Sequence, residues 1–146
     1  MKIKFTVLSM NISEKKGEQK NPVDKIVLTP DHGIEGDAHA GPWHRQVSLL
    51  AQEEIDTMQG KGVEISWGDF AENITTRGVP LHTLPIGTKL FMGDAELEIT
   101  QLGKECHHGC SIFQIVGDCV MPRKGVFAKV LKGGEVTRES SCYYTI

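Results

Sequence analysis

Cysteine, histidine and lysine are concentrated in one short segment of the chain, GKECHHGC. A cysteine acts as a nucleophile in its thiolate form, and nearby cations or imidazolium groups lower the pKa of the thiol. Lys104 and His107 flank Cys106, and His108 or Cys110 could relay or resolve a species formed on its sulfur. The segment therefore predicts a reactive cysteine, with Cys106, Lys104 and His107 as the catalytic group.

The same segment also fits a metal site. Cys106 and Cys110 are four residues apart and would share one face of a helix. With His107 or His108, and with Cys119, they offer up to four ligands of the kinds that zinc binds. The spacing is irregular, however, and the second closely spaced pair of a typical structural zinc site is absent. A metal site of Cys106, His108 and Cys110 thus stays open, whereas a disulfide is disfavoured in an intracellular chain.

Two further segments carry groups that could bind a ligand. A long loop is predicted from Thr29 to Gln46, where glycines and prolines interrupt any regular period. Its side chains of the kinds that bind anions or metals are Asp31, His32, Asp37, His39, His44 and Arg45. The segment GDFAENITTRG offers Asn73, Thr75, Thr76 and Arg77 for oxyanion or phosphate contacts. Both segments also fit ordinary solvated loops and turns, and Trp43 is interpreted as a core residue in preference to a pocket wall.

Short strands must position these groups. Ile3, Phe5 and Val7 alternate with polar residues at the period of a half-buried strand. Gly93-Asp94 predicts a type II′ hairpin turn, and Gly133-Gly134 predicts a second hairpin. Helices are predicted within AQEEIDTMQG, ending at Gly60, and over residues 111–117. The pattern as a whole favours a curled antiparallel sheet or β-barrel with two or three small helices.

Composition limits the class of protein. A chain of 146 residues with 39% hydrophobic residues and a net charge of −3 predicts one domain over residues 1–146. No basic stripe suited to nucleic acid is present in the sequence. We also find no secretory leader and no apolar run long enough to span a bilayer. We therefore expect a soluble, cytoplasmic protein that binds neither nucleic acid nor membranes.

Three segments in this order resemble the MOSC family, named after the C-terminal domain of molybdenum cofactor sulfurases. They are GIEGDAHAGPWHRQVSLLAQEEI, GDFAENITTRGVPLHTLPIGTKLFMGDAELEITQLGKEC and CVMPRKGVFAKVLKGGEV. The resemblance covers nearly the whole chain and is that of a stand-alone bacterial member. It implies a MOSC-type β-barrel of antiparallel or mixed strands with a few short helices. The family's usual glycine-aspartate after the last hairpin is replaced here by EVTRESSCYYTI, which leaves Cys142 without an assigned role.

The resemblance also implies a function. A family cysteine, here Cys106 by position, would accept sulfur as a persulfide or contact molybdenum. The residues that match the family's cofactor-binding pattern are His39, Arg45, Gln46, Glu72, Asn73 and Thr75. We expect a protein that binds molybdopterin or molybdenum cofactor and carries sulfur, with a cysteine desulfurase or a molybdoenzyme as partner and no pyridoxal phosphate of its own. The alternative is a non-catalytic metal-binding or cofactor-chaperone module.

Overall fold

A computed structural model describes residues 2–16, 19–57, 66–103 and 124–145. Within these ranges the protein is mostly β. The strands are β1 (Lys2–Ile12), β2 (Asn21–Val23), β3 (Lys25–Thr29), β4 (Gly33–Ile34), β5 (Val47–Ala51), β6 (Ile74–Arg77), β7 (Lys89–Met92), β8 (Ala95–Leu102), β9 (Val126–Lys132), β10 (Gly134–Thr137) and β11 (Cys142–Thr145). The helical elements of the same ranges are α1 (Gln52–Asp56) and a 3₁₀ turn at Leu81–Thr83.

Seven strands of the described chain close into a barrel. They follow one another in the order β11-β7-β8-β9-β5-β6-β1, and pairing between β1 and β11 closes the ring. The pair β5–β6 is parallel and the other pairs of the ring are antiparallel. The strand β2 extends the sheet beside the end of β1, and β10-β3-β4 form a separate three-stranded sheet. This arrangement confirms the predicted mostly-β barrel of mixed strands with short helices.

The barrel encloses the apolar core. In β1 the alternation predicted from the sequence is observed, because Phe5 and Val7 are buried while Lys4 and Thr6 are exposed. The strand β5 is buried along its whole length. Its sequence, VSLLA, is apolar except for Ser48, as expected of a strand whose two faces are both buried.

The hairpin predicted at Gly93-Asp94 is confirmed. Met92 pairs with Ala95 across the turn. The φ angle of Gly93 is 58°, and Asp94 has no positive φ, so only the first turn position uses the region that glycine tolerates. This is the pattern of a type II′ turn.

The hairpin predicted at Gly133-Gly134 is wrong. The strand β10 pairs with β3, through Gly134 opposite Leu28, and not with the preceding strand β9. The reason lies in the barrel: β8 occupies one edge of β9 as far as Lys132, and the other edge is held by β5 up to Ala128 and by the Gln46 side chain at Val130. The chain therefore leaves the barrel at Gly133 and adds to the small sheet.

The first predicted helix is present as α1, with Glu53 and Glu54 in its first turn, where the helix dipole favours acids. It ends at Asp56 with Thr57 as its C-cap, so it is shorter than the prediction that ran to Gly60. The helix predicted over residues 111–117 lies outside the described residues. In the described part of the chain, no helix is long and apolar enough to cross a membrane.

Candidate functional site

The ends of β8 and β9 fix where the predicted cysteine segment is attached to the barrel. Leu102 pairs with Val126, and the N–H of Gly103 donates to the carbonyl of Gly125 at 2.7 Å. Residues 104–123 are joined to the barrel at this pair of strand ends. The predicted catalytic and metal residues Lys104, Cys106, His107, His108 and Cys110 lie outside the described residues.

The end of the 29–46 loop is anchored at the same rim. The hydroxyl of Thr100 donates to the carbonyl of His44. His44 Nε2 lies 2.7 Å from Gln101 Oε1, and Gln101 Nε2 donates to the carbonyl of Gly103 at 2.7 Å. Because the amide oxygen of Gln101 only accepts, His44 Nε2 carries the donated proton. The loop is thus tied by hydrogen bonds to the residue from which segment 104–123 departs.

Arg45 is held at this rim by aromatic rings. Its guanidinium carbon lies 4.7 Å from the Trp43 ring centroid and 5.5 Å from that of Phe127. Both distances are within the range of a cation–π contact. Its Nε is buried without a hydrogen-bond partner, and within the described chain the guanidinium has no ion pair. Buried polar groups nearly always have a hydrogen-bond partner. The Nε–H of Arg45 has none, so it is a donor able to bind an anion.

Trp43 connects Arg45 to His39. The indole N–H of Trp43 donates to the carbonyl of His39 at 2.7 Å, which fixes the ring that Arg45 contacts. The His39 side chain is 22% exposed, so its imidazole lies at the surface of this corner and not in the core. Trp43 itself is half-buried. The expectation that it is a core residue is therefore wrong, because its ring packs against the arginine and its N–H serves the loop.

A buried lysine lies behind His39. The ammonium of Lys20 is 2.8 Å from Asp37 Oδ1, 3.0 Å from Ser13 Oγ and 3.0 Å from His39 Nδ1. The side chains of both Lys20 and Asp37 are fully buried. An ammonium has only donors, so Nδ1 of His39 accepts from Lys20. A neutral His39 therefore carries its proton on Nε2, and Lys20 sets this tautomer.

Asp37 makes the buried charge of Lys20 tolerable. Burial by itself would raise the pKa of Asp37, but the hydrogen bond and charge of Lys20, with the N–H groups of His39 and Ser13, hold that pKa below its usual value. The N–H of His39 donates to Oδ2 at 3.0 Å and that of Ser13 to Oδ1 at 3.2 Å. Asp37 thus stays ionised and ties three segments of the corner together.

The loop that precedes β6 contacts Lys20 through main-chain atoms. The N–H of Lys20 donates to the carbonyl of Gly68 at 2.8 Å. The carboxyl of Glu72 holds this turn by accepting from the N–H of Gly68 at 3.0 Å and of Phe70 at 3.2 Å, and from the Thr75 hydroxyl at 3.1 Å. Glu72 is fully buried. Desolvation outweighs the three donors and raises the pKa of Glu72 to about 7.

The family model described as "MOSC domain" matches residues 35–142. The chain belongs to the MOSC domain family. This family is linked to molybdenum-cofactor binding or sulfur transfer. No curated protein matches the sequence significantly.

Solved structures share the fold at low sequence identity. The YuaD protein of Bacillus subtilis superposes with a TM-score of 0.82 and 19% identity, over 99% of this chain and 97% of its own. YiiM of Geobacillus stearothermophilus gives 0.74 and 18%, over 97% and 75%. YiiM of Escherichia coli gives 0.73 and 16%, over 99% and 70%. These similarities show that the fold shared with these structures extends over nearly the whole chain.

Within this MOSC barrel the predicted ligand-binding residues fall into two groups. His39 and Arg45 lie together, joined through Trp43. The others are buried and bonded to the protein itself. Asn73 accepts from the Ser48 N–H at 2.9 Å and donates to the carbonyl of Asn11 at 3.1 Å.

Gln46 and Thr75 belong to the second group. Gln46 accepts from the N–H of Val130 at 2.9 Å, and Thr75 donates to Glu72. These bonds position the loop and strands of the MOSC barrel. A direct contact of Gln46, Glu72, Asn73 or Thr75 with a ligand stays a prediction.

Sequence reasoning did not find Lys20 or Lys16 as residues of this corner. Lys16 lies with its ammonium 4.7 Å from the centroid of the Trp43 ring. Both lysines occur in SEKKGEQK, a charged stretch that carries no local sign of burial. Their place is set by tertiary contacts with Asp37 and Trp43, which no spacing rule reveals.

The MOSC barrel also has a cavity away from this corner. It has a volume of about 350 Å³ and is lined by Lys4, Phe5, Thr6, Arg77, Gly78 and Ser140–Cys142. Of the residues offered for phosphate contacts, Arg77 lines it, whereas Asn73, Thr75 and Thr76 do not. Burial raises the pKa of the Cys142 thiol to about 11, so this cysteine remains protonated and unreactive at neutral pH. In the described residues no three His, Cys, Asp or Glu side chains group as metal ligands.

Proposed function

We propose that this MOSC protein binds molybdenum cofactor, or its molybdopterin part, and carries sulfur to it as a persulfide on Cys106. The observation that carries the proposal is the uncommitted Arg45 guanidinium beside the strand ends to which the Cys106 segment is attached. Cys106 follows Gly103 by three residues, so covalent connectivity alone keeps their Cα atoms within about 11 Å. These contacts support the proposal that an anion bound at Arg45 and the sulfur of Cys106 act at the same end of the barrel.

The described residues fit the anionic part of the cofactor. A guanidinium presents a planar fork of donors that matches a phosphate, and the buried Nε–H of Arg45 is one donor of that fork without a partner. His39 lies at the same corner, where its main-chain carbonyl accepts from the Trp43 indole N–H. When bound, the cofactor supplies a molybdenum centre whose soft character suits sulfur ligands. The residues of this chain hold the anion and present the sulfur.

The loading step exchanges one sulfur–sulfur bond for another. The Cys106 thiolate attacks the outer sulfur of a persulfide on a cysteine desulfurase. A new bond forms between Cys106 and that sulfur, the bond within the donor persulfide breaks, and the donor leaves as a thiolate. No net oxidation or reduction takes place. Lys104 and His107 would favour the attacking thiolate, since cations lower a thiol pKa.

Intact-mass measurement tests the loading step. The protein is incubated with a cysteine desulfurase and cysteine, and then digested to locate any added sulfur. We expect one added sulfur atom on Cys106 and none after Cys106→Ser. The chain contains its own control in Cys142, whose pKa of about 11 keeps it as a thiol.

Two results would contradict the proposal. In the first, Cys106 gains no sulfur while a known carrier in the same mixture does. In the second, Cys142 gains as much as Cys106, which would mean unspecific reaction. Binding of the cofactor is read separately, from fluorescence of an extracted pterin and from molybdenum content. Zinc at near-stoichiometric level, lost with Cys110→Ser, would favour a metal-binding module instead.

A further inference from the structure

Two cations share one aromatic ring at the site corner. The ammonium of Lys16 and the guanidinium carbon of Arg45 each lie 4.7 Å from the centroid of the Trp43 ring. Their separation cannot exceed twice this distance, which is about one Debye length at 0.1 M salt. Two like charges so close repel each other unless a negative group compensates them.

Within the described chain, neither cation has a carboxylate partner. Arg45 and Lys16 take part in no ion pair of these ranges. The nearby Asp37 is committed to Lys20, at 2.8 Å. The net charge of the protein is −3, so the chain does not favour anions in general. A local pair of uncompensated cations is therefore a specific feature of this corner.

We propose that Lys16 and Arg45, both held by Trp43, form a two-cation clamp that selects dianionic phosphate monoesters over monoanions. This deepens the proposed function, on which it rests, because it names the ligand group that the corner recognises and adds two residues to it. Arg45 supplies the planar donors, Lys16 supplies a second charge, and Trp43 keeps both in place. A dianion satisfies both charges at once, whereas a monoanion leaves one of them uncompensated.

The clamp also explains the position of Lys16. An exposed cation–π contact stabilises by about 0.5–1 kcal/mol, enough to keep a flexible lysine over one ring. The Trp43 ring cannot turn freely, because its N–H is bonded to the His39 carbonyl. The neighbouring Lys15 is also exposed but contacts no ring in the described structure. Lys15 is therefore a matched control, because it carries the same charge as Lys16 but does not contact the Trp43 ring.

Tryptophan fluorescence tests the clamp directly. The sequence has two tryptophans, and Trp67→Phe leaves Trp43 as the single reporter. This protein is titrated at pH 8 with methyl phosphate, a dianion at that pH, and with methyl sulfate, a monoanion of similar shape, at constant ionic strength. We expect saturable quenching and tighter binding of methyl phosphate. Lys16→Gln should weaken methyl phosphate binding about three- to ten-fold and remove most of the preference, while Lys15→Gln should preserve both.

A second variant separates charge from geometry. Arg45→Lys retains the charge but loses the planar fork, and should weaken methyl phosphate about ten-fold or more. The clamp is refuted if the reporter shows no saturable response, if Lys16→Gln behaves as the parent, or if Lys15→Gln has the same effect as Lys16→Gln. Sulfur loading of Cys106 is measured on the same proteins. Loading without anion binding overturns the clamp alone, and anion binding without loading overturns the sulfur-carrier function alone.

Discussion

At the scale of single residues, hydrogen-bond satisfaction separates supporting residues from candidate ligand contacts. Asn73 is fully buried and its amide is bonded to main-chain groups of two other segments. Arg45 is the opposite case, because its buried Nε has no partner. Buried polar groups that are already paired have little left to offer a ligand. The burial and bonding of these groups thus point to Arg45 as the contact residue of the corner.

The buried pair of Lys20 and Asp37 gives a prediction at this scale. Lys20→Met removes the cation and leaves a carboxylate without its counter-charge in a fully buried place. We expect the free energy of unfolding to fall by about 3–5 kcal/mol at pH 7, measured by urea denaturation. The double variant Lys20→Met/Asp37→Asn should lose less than Lys20→Met alone, since no buried charge remains. The exposed pair Lys25–Glu135 is the control, and Lys25→Met should change stability by less than about 1 kcal/mol.

If Lys20→Met and Lys25→Met lowered the free energy of unfolding equally, burial of the Lys20 charge would have no energetic role. A double variant less stable than Lys20→Met would exclude the charge imbalance as the cause.

At the scale of elements, local patterns in the sequence predicted what depends on neighbours along the chain. The alternation in β1 and the turn at Gly93-Asp94 are both local, and both are confirmed. The partner of β10 is not local, since it depends on which strand edges the barrel leaves open. The burial of Lys20 likewise depends on its ion pair with Asp37. The charged stretch around Lys20 gives no sequence pattern that predicts this pair. The sequence therefore predicts the barrel and the candidate loop, but not the contacts that assemble the corner.

The contact of the Gly68 turn with Lys20 gives a prediction for elements. A Cβ on Gly68 would lie 2.1 Å from the carbonyl oxygen of Lys20, and the φ of Gly68 is 91°. Gly68→Ala should therefore destabilise by about 3 kcal/mol or more, from backbone strain and from the displaced segment together. Gly87→Ala is the matched control: its φ is 98° and nothing lies within 4 Å of its Cβ, so strain alone should cost about 1 kcal/mol.

Urea unfolding of both glycine variants measures the difference. If Gly68→Ala and Gly87→Ala lost equal stability, the close approach of the two segments would carry no energy. Gly68→Ala should also weaken methyl phosphate binding, because Lys20 and His39 shift with the turn.

At the scale of the whole molecule, the barrel pairs its first and last described strands and buries the carboxyl of Glu72. The strands β1 and β11 close the ring, with Phe5 opposite Cys142. Glu72 is fully buried in the turn that leads into β6. The carboxyl serves as an acceptor for the N–H groups of Gly68 and Phe70, so the site corner depends on a group whose charge is disfavoured by its surroundings. The stability of the barrel must then depend on pH.

The sign of this dependence follows from the pKa of Glu72, about 7 when folded against an ordinary value of 4.5. Between these values the folded protein holds a proton that the unfolded chain has released, so stability falls as pH rises. The contribution should decrease by about 2 kcal/mol from pH 5 to pH 8. Asp37 has a lowered pKa, and its contribution is lost only when pH falls towards and below its ordinary value of 3.8, outside this range.

Glu72→Gln isolates the effect, because its side chain does not titrate. Histidines also titrate in this range, so the informative quantity is the difference between the two proteins in urea-unfolding free energy from pH 5 to pH 8. In the parent, the N–H groups of Gly68 and Phe70 and the Thr75 hydroxyl donate to the two carboxyl oxygens of Glu72. The amide of Glu72→Gln offers these donors only one oxygen, so this variant should be less stable than the parent at pH 5. Its disadvantage should shrink towards pH 8 as the parent loses stability. Parallel pH profiles would show that Glu72 does not hold a proton in the folded barrel, and that its three donors outweigh its desolvation.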